Sequence, residues 1–401
     1  MDSVLLFMFS NNFFLGANYF SLAMLIYEIF HKGYFSLKKI KNYNFYILIL
    51  ASLSYMLISI NNGDVLSISS YYMKFILPII LFYVGYLRGF RGYHYWKKDV
   101  LIIMFASFIH GFLNMLFNRN INILLIAGRQ YRDIYGGTIS ATLQNLMFIL
   151  SSSLFFYFLV CEKNKKIKIS GIFLGIAGAY CSIVSASRTM LVLMILISFI
   201  SLIVYLSFKH NRIGSIIYIG FIASFILIIF WIIISLNLFG IKGWFEGTAL
   251  AQRMLNSSTS NGISENLRWK YSWDILKMLI DYPFGNIPYS YYAHNLWLDV
   301  AKDAGIIPFV LYILFIILCL KEVFLFCLKN KVHKEKIIFI VSVSISYVIV
   351  FFTEPIIEGS PITFSIFCFL MGEIISLSKS LRKNNKNKAR KNYRLIRNDK
   401  L

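Results

Sequence analysis

The chain has 401 residues, of which 58 % are hydrophobic and 14 % charged, with a formal net charge of +22. A soluble domain carries roughly 45–50 % apolar and about 25 % charged residues. These figures therefore exclude a soluble globular fold, a disordered chain and a disulfide scaffold, and leave a polytopic membrane protein. The positive charge is not a nucleic-acid footprint. Lysines and arginines sit in short clusters between apolar runs of about 17–25 residues, the length that spans a bilayer.

In chain order the apolar runs predict an all-α integral membrane domain over 1–377 with about eleven transmembrane helices, within a range of about 10–12. They cover 4–30, 44–60, 71–87, 99–117, 138–160, 169–186, 189–208, 214–236, 304–320, 337–353 and 361–377. Asn11, Asn12 and Asn18 interrupt the first. The loops 31–43, 88–98, 162–168, 209–213 and 321–336, with the tail from Ser378, hold 29 of the 40 Lys and Arg residues. The positive-inside rule makes that set cytoplasmic. An odd number of spans then places the N-terminus and the long loop 237–303 outside the cytoplasmic (inner) membrane and the C-terminus in the cytoplasm. The stretch 378–401 reads as a disordered basic cytoplasmic tail resting on anionic lipid. Met1-Asp2-Ser3 lacks a basic n-region, so no cleaved signal peptide is expected. Five cysteines without a CxxC or Cys/His cluster predict neither disulfide nor metal. No nucleotide-binding or metalloprotease motif is present, so no cofactor is expected.

Acidic residues at a clear midplane are lacking, which argues against a proton-coupled transporter. Glu28, Glu373 and Lys74 lie near span ends, where they can snorkel. The outer arginines are more informative. Arg188 follows the small residues Ser185, Ala186 and Ser187 in a turn between two spans. It binds either a lipid phosphate or an anion in a cavity between helices. Arg129 and Arg132, three apart, either share one phosphate-sized anion or leave Arg132 to pair with Asp133.

The long loop contains an amphipathic helix over 266–280, stopped at Asp281-Tyr282-Pro283. On a wheel, Lys270, Asp274, Lys277 and Asp281 form one salt-bridged face. Leu267, Tyr271, Ile275, Met278 and Leu279 form the apolar one, and Arg268 projects with them. An arginine there needs an anionic partner, either a protein carboxylate or a ligand phosphate. Further on, a helix places His294, Asn295, Asp299, Lys302 and Asp303 on one polar arc at the mouth of a span. An imidazole oriented by Asn295 and Asp299 suits a general base for a sugar hydroxyl.

Several of these segments together resemble the O-antigen polymerase and O-antigen ligase superfamily. They are Ser185-Ala186-Ser187-Arg188-Thr189, Arg268-Trp269 upstream of Pro283-Phe284-Gly285, and His294-Asn295 through Leu298 to Gly305-Ile306 and Pro308. Gln144-Asn145 and Glu354-Pro355 look similar too. The resemblance covers about the last 280 residues and is most specific from Arg268 to Pro308. The family usually follows Gly-Ile-Pro with Gly, whereas this chain reads Gly305-Ile306-Ile307-Pro308-Phe309. The resemblance implies an inverting, metal-independent glycosyl transfer from a polyprenyl-diphosphate-linked oligosaccharide on the outer membrane face. Arg188 and Arg268 would bind the diphosphate, with Arg129 and Arg132 added by loop position, and His294 would activate the acceptor. The leading expectation is a polymerase for capsule, exopolysaccharide or O-antigen, working beside a flippase and a chain-length regulator. The alternatives are a ligase that transfers finished glycan, a lipid-linked oligosaccharide flippase or transporter, and a structural scaffold.

Overall fold

The computed structural model describes residues 2–32, 42–63, 66–119, 130–207, 243, 246, 248, 251, 263–288, 294–329 and 333–398. The predicted span 214–236 and the site residue Arg129 lie outside them, as does the side chain of Arg268. Eight helices among the described residues are long and apolar enough to cross a membrane. The helical, polytopic architecture expected from composition is what the chain adopts, with one small β-ribbon as the exception.

The chain begins with α1 (Asp2–Ser10) and α2 (Ala17–Lys32). Then come α3 (Tyr43–Asn61), α4 (Ile68–Gly89) and α5 (Tyr93–Phe117). The antiparallel strands β1 (Gln130–Arg132) and β2 (Thr138–Ser140) pair with Tyr131 opposite Ile139. After them come three short helices, α6 (Ala141–Leu146), α7 (Ile149–Ser153) and α8 (Phe155–Val160). Next are α9 (Lys165–Val184) and α10 (Arg188–Ser207). The amphipathic α11 (Ile263–Asp281) and short α12 (Leu296–Ala304) precede α13 (Ile306–Lys329). The chain ends in α14 (Lys334–Thr353), α15 (Ile356–Gly359) and α16 (Pro361–Asn398).

Two predicted spans are not single helices. The stretch 138–160 is the end of the ribbon followed by α6 to α8. The stretch 4–30 folds back on itself. Asn12, Phe14 and Leu15 all have positive φ, which a continuing helix cannot accommodate. Asn11 there donates from its side chain to the Ala106 carbonyl at 2.9 Å instead of serving a helix. At about 1.5 Å per residue, nine-residue α1 reaches less than half the ~30 Å hydrocarbon core. Its start and the end of α2 meet the same groups: Arg88 and Arg91 both pair with Asp2, and Arg91 holds Glu28 at 2.7 Å.

This pairing departs from the end of the bundle that the span count predicts for the N-terminus. The N-terminus sits at the same end of the bundle as 88–98, not the opposite one. We call this the basic end. Lys97 pairs there with Glu162, Lys336 lies over the Tyr93 ring and Lys334 over the Tyr205 ring. Because α1 and α2 form a hairpin, α3 still starts from the basic end, and the alternation of every later described helix stands. The disordered tail expected from 378 is corrected. The last helix runs on to Asn398, as a stretch with nine Lys and Arg residues, both good helix formers, permits.

Inside the bundle, α4 and α16 pack closest. A Cβ at Gly85 would come within 2.0 Å of the Phe369 carbonyl oxygen, and one at Gly89 within 2.2 Å of that of Glu373. Spaced four apart on one helix face, these glycines admit the neighbouring backbone. Their approach seats Arg88 beside Asp99, which takes two guanidinium nitrogens at 2.6–2.9 Å, and brings Glu373 within 3.8 Å. Glu28 and Glu373 are therefore fully buried members of an ion network, not snorkelling side chains.

Candidate functional site

At the far end of the bundle, segments distant in sequence meet around the C-terminal end of α14. Asn145 accepts from the Ser185 hydroxyl at 2.8 Å. Thr189, next to Arg188, donates to Glu354 at 3.1 Å. Asn295, next to His294, donates from its side-chain amide to the Phe352 carbonyl at 3.4 Å. Arg188 and His294 are thus each one residue from a group anchored on Phe352–Glu354.

Local backbone conformation singles out the same two positions. His294 itself has φ 50°, and Ala186, two residues before Arg188, has φ 55°. A left-handed conformation costs a non-glycine residue about 1–2 kcal/mol. Its cost is met by the structure that follows. The Asn295 side chain caps α12 by accepting from the amides of Trp297 at 2.9 Å and Leu298 at 3.4 Å. Asp299, buried in the first turn, accepts from the Asn295 amide at 3.4 Å. This corrects the expected polar arc: His294 and Asn295 precede α12 and Asp299 is buried, so Asn295 and Asp299 hold the helix start next to His294 through backbone bonds.

The expected motif Pro283-Phe284-Gly285 with Gly305 is a backbone clasp. Gly285 and Gly305 have φ 79° and 78°. A Cβ on Gly305 would lie 2.1 Å from the Pro283 carbonyl oxygen. The Ile306 amide donates to that oxygen at 2.9 Å, and Asn286 and Ile287 donate to Asp303 and Lys302 carbonyls. Ile275 and Leu279 of α11 pack on Ile287, Leu298 and Ala301 above the clasp, as the wheel predicts for that face. Arg268 lies two turns upstream of Ile275 in the same helix.

The ribbon decides between the two readings of Arg132. Arg132 is exposed on β1, while Asp133 is buried and takes His110 Nε2 at 3.0 Å. A local Arg132–Asp133 ion pair is therefore ruled out, since the carboxylate turns inward. Burial pushes the Asp133 carboxyl up, but the His110 and Tyr135 N–H bonds outweigh it and leave it below the ordinary range.

A further cluster was not evident from spacing. The Tyr55 hydroxyl lies 2.7 Å from Glu358 and 3.1 Å from Asp303, and Lys74 pairs with Glu358. Burial first, then the Glu358 charge, pushes Asp303 up to about 7. A phenol has one proton to donate. It is offered to both carboxylates, with Glu358 the nearer and Lys74 beside it. The sequence marked Lys74 near a span end and Asp303 on a polar arc without linking them; Lys74 sits in a π-helical turn over Tyr72–Ile76.

No protein-family model matches the chain, and no curated protein matches it either.

Proposed function

We propose that this protein is a polysaccharide polymerase that joins polyprenyl-diphosphate-linked oligosaccharide units at the far, outer end of the bundle. The observation that supports this reading most is the meeting of three separate segments, 144–145, 185–189 and 294–299, around Glu354. Each carries residues of the resemblance. In this reading Arg188 and Arg268 neutralise the charge that develops on the departing lipid diphosphate. His294 takes the proton of the acceptor hydroxyl, its oxygen bonds to the anomeric carbon, and the bond from that carbon to the diphosphate breaks with inversion. Arg129 and Arg132 enter this reading by loop position alone, in a supporting electrostatic role at the diphosphate. A ligase would use the same groups on a different acceptor.

A transporter reading has one observation in its favour, the buried network of Arg88, Asp99, Glu28 and Glu373. Intramembrane ion networks of this kind mark translocation paths in other proteins. The two readings part on one experiment. Purified protein in lipid vesicles, given a defined lipid-linked repeat unit, makes polymer if it is the transferase. Arg188→Ala and Arg268→Ala each abolish long chains, Arg→Lys restores them poorly because lysine lacks the bidentate fork, and exposed Lys270→Ala is silent. His294→Ala lowers the rate about 10²–10⁴-fold, the range of general-base catalysis. Absence of polymer from the wild-type protein under these conditions rejects the transferase.

A further inference from the structure

Between the ribbon, the hairpin tip of α1 and α2, and the α15–α16 junction lies a cavity of about 370 Å³. That volume falls within the ~300–1,000 Å³ of small-molecule sites. Its polar wall includes Ser107, His110, Asp133, Thr138, Ser360 and Thr363, and Tyr347 is part of its apolar wall. Among the described residues lining it there is no Lys, Arg or Glu, and Asp133 is the sole acid. Asp133 is held by His110 Nε2 at 3.0 and 3.2 Å and by the Tyr135 amide at 2.8 Å. The His110 ring packs against Tyr135 with centroids 5.1 Å apart.

The charge of this wall selects against anions. If His110 is protonated the pair is neutral, and if not the pair is negative; neither state attracts a phosphate or a uronate. A neutral His110 that donates Nε2–H to Asp133 keeps Nδ1 as an acceptor for a ligand hydroxyl. Serine and threonine hydroxyls add groups that both donate and accept, while Tyr347 and the aliphatic wall suit the C–H faces of a sugar ring. The cavity also shares two chain segments with the convergence at Glu354. Leu143, Leu146 and Met147 line it on either side of Asn145, the partner of Ser185. Gly359 and Ser360 line it a few residues beyond Glu354, the partner of Thr189.

We infer that this cavity is a binding site for an uncharged saccharide, anchored by the His110–Asp133 pair beside the transfer site. The saccharide would be a sugar of the repeat unit next to the reacting bond, a role that rests on the polymerase reading. His110 acts here as a binding and positioning residue.

The test uses full-length protein in lipid nanodiscs and a diazirine-bearing N,N′-diacetylchitobiose as photoprobe. Labelling maps to peptides containing 107–110 and 133–147, and unlabelled chitobiose competes for it. A disaccharide that carries glucuronate does not. His110→Gln, which keeps a donor for Asp133 and so preserves the fold, weakens labelling about fivefold, the loss of one neutral hydrogen bond. Ser107→Phe fills the cavity and abolishes labelling without touching the pair. Undiminished labelling in Ser107→Phe, equal competition by the uronate, or labelling of the same peptides by a diazirine phospholipid in place of the sugar overturns the site. Loss of polymer in Arg188→Ala without sugar labelling of the cavity rejects this inference alone. Sugar labelling with no polymer made by the wild-type protein rejects the polymerase reading and leaves the saccharide site standing.

Discussion

Asp303 shows how one buried proton connects the far-end elements. Tyr55 on α3, Glu358 on α15 and Asp303 on α12 share a cluster of hydrogen bonds in which burial and the Glu358 charge favour the neutral Asp303 carboxyl. Its carboxyl is raised from 3.8 to about 7, so the folded protein holds a proton that the unfolded chain has already released. Between those two values the folded state binds more protons, and stability falls as pH rises. The protein should therefore be more stable near pH 5 than near pH 8. Asp303→Asn, which keeps an acceptor for the Tyr55 hydroxyl without titrating, should flatten that part of the profile. The thermal midpoint in detergent at the two pH values reads the effect, and an unchanged slope in Asp303→Asn would remove the proton from this chain of bonds. None of this was visible in spacing, because Tyr55, Lys74, Asp303 and Glu358 come together only when four helices meet. His294 and Arg188 were visible, because each stands in a short polar break between apolar runs.

Among the helices, length and hydropathy located most of the spans but not their breaks. The described spans from α3 onward fall where the apolar runs predict, apart from 138–160. The two that fail, 4–30 and 138–160, are as apolar as the rest, and hydropathy does not record where backbone hydrogen bonds stop. Asn11 and Asn12 flagged the first break, whereas Ser151 to Ser153 in the second gave little sign. Burial of charge was equally hidden. Glu28 and Glu373 read as snorkelling residues, yet the close contact of α4 with α16 at Gly85 and Gly89 encloses them with Arg88. Arg88 is 2 % exposed and is held by Asp99 and Asp2. Removing one member of such a network strands the others, at a typical cost of about 3–5 kcal/mol, whereas replacing both partners with apolar residues is often near neutral. Arg88→Ala should thus lower the thermal midpoint more than the double change Arg88→Met with Asp99→Leu. A double variant less stable than Arg88→Ala would mean the network stabilises the bundle beyond mutual satisfaction of its charges.

Across the bundle, two independent signals describe sidedness, and they part at the first residue. The Lys and Arg distribution assigns 88–98 and four other connections, with the C-terminal stretch, to one side. The contacts agree for all of these that are described: Lys97 meets Glu162, Lys334 and Lys336 lie over Tyr205 and Tyr93, and Lys379 lies over Tyr86. Counting spans puts the N-terminus on the other side, but the pairing of Asp2 with Arg88 and Arg91 puts it on this one. Charge counting is insensitive to a hairpin that enters and leaves by the same face, since it adds no loop on the opposite side. The two accounts make different predictions for labelling in sealed cells with an impermeant thiol reagent. In a cysteine-free background, a cysteine ahead of Asp2 should behave like one at exposed His94 and remain protected until the membrane is permeabilised. A cysteine at exposed Gln130 on the ribbon should react at once. If the N-terminal position reacted with Gln130 and not with His94, α1 and α2 would have to cross as one span. The ion pairs of Asp2 would then be absent, and the α1–α2 turn would no longer form part of the cavity wall beside His110.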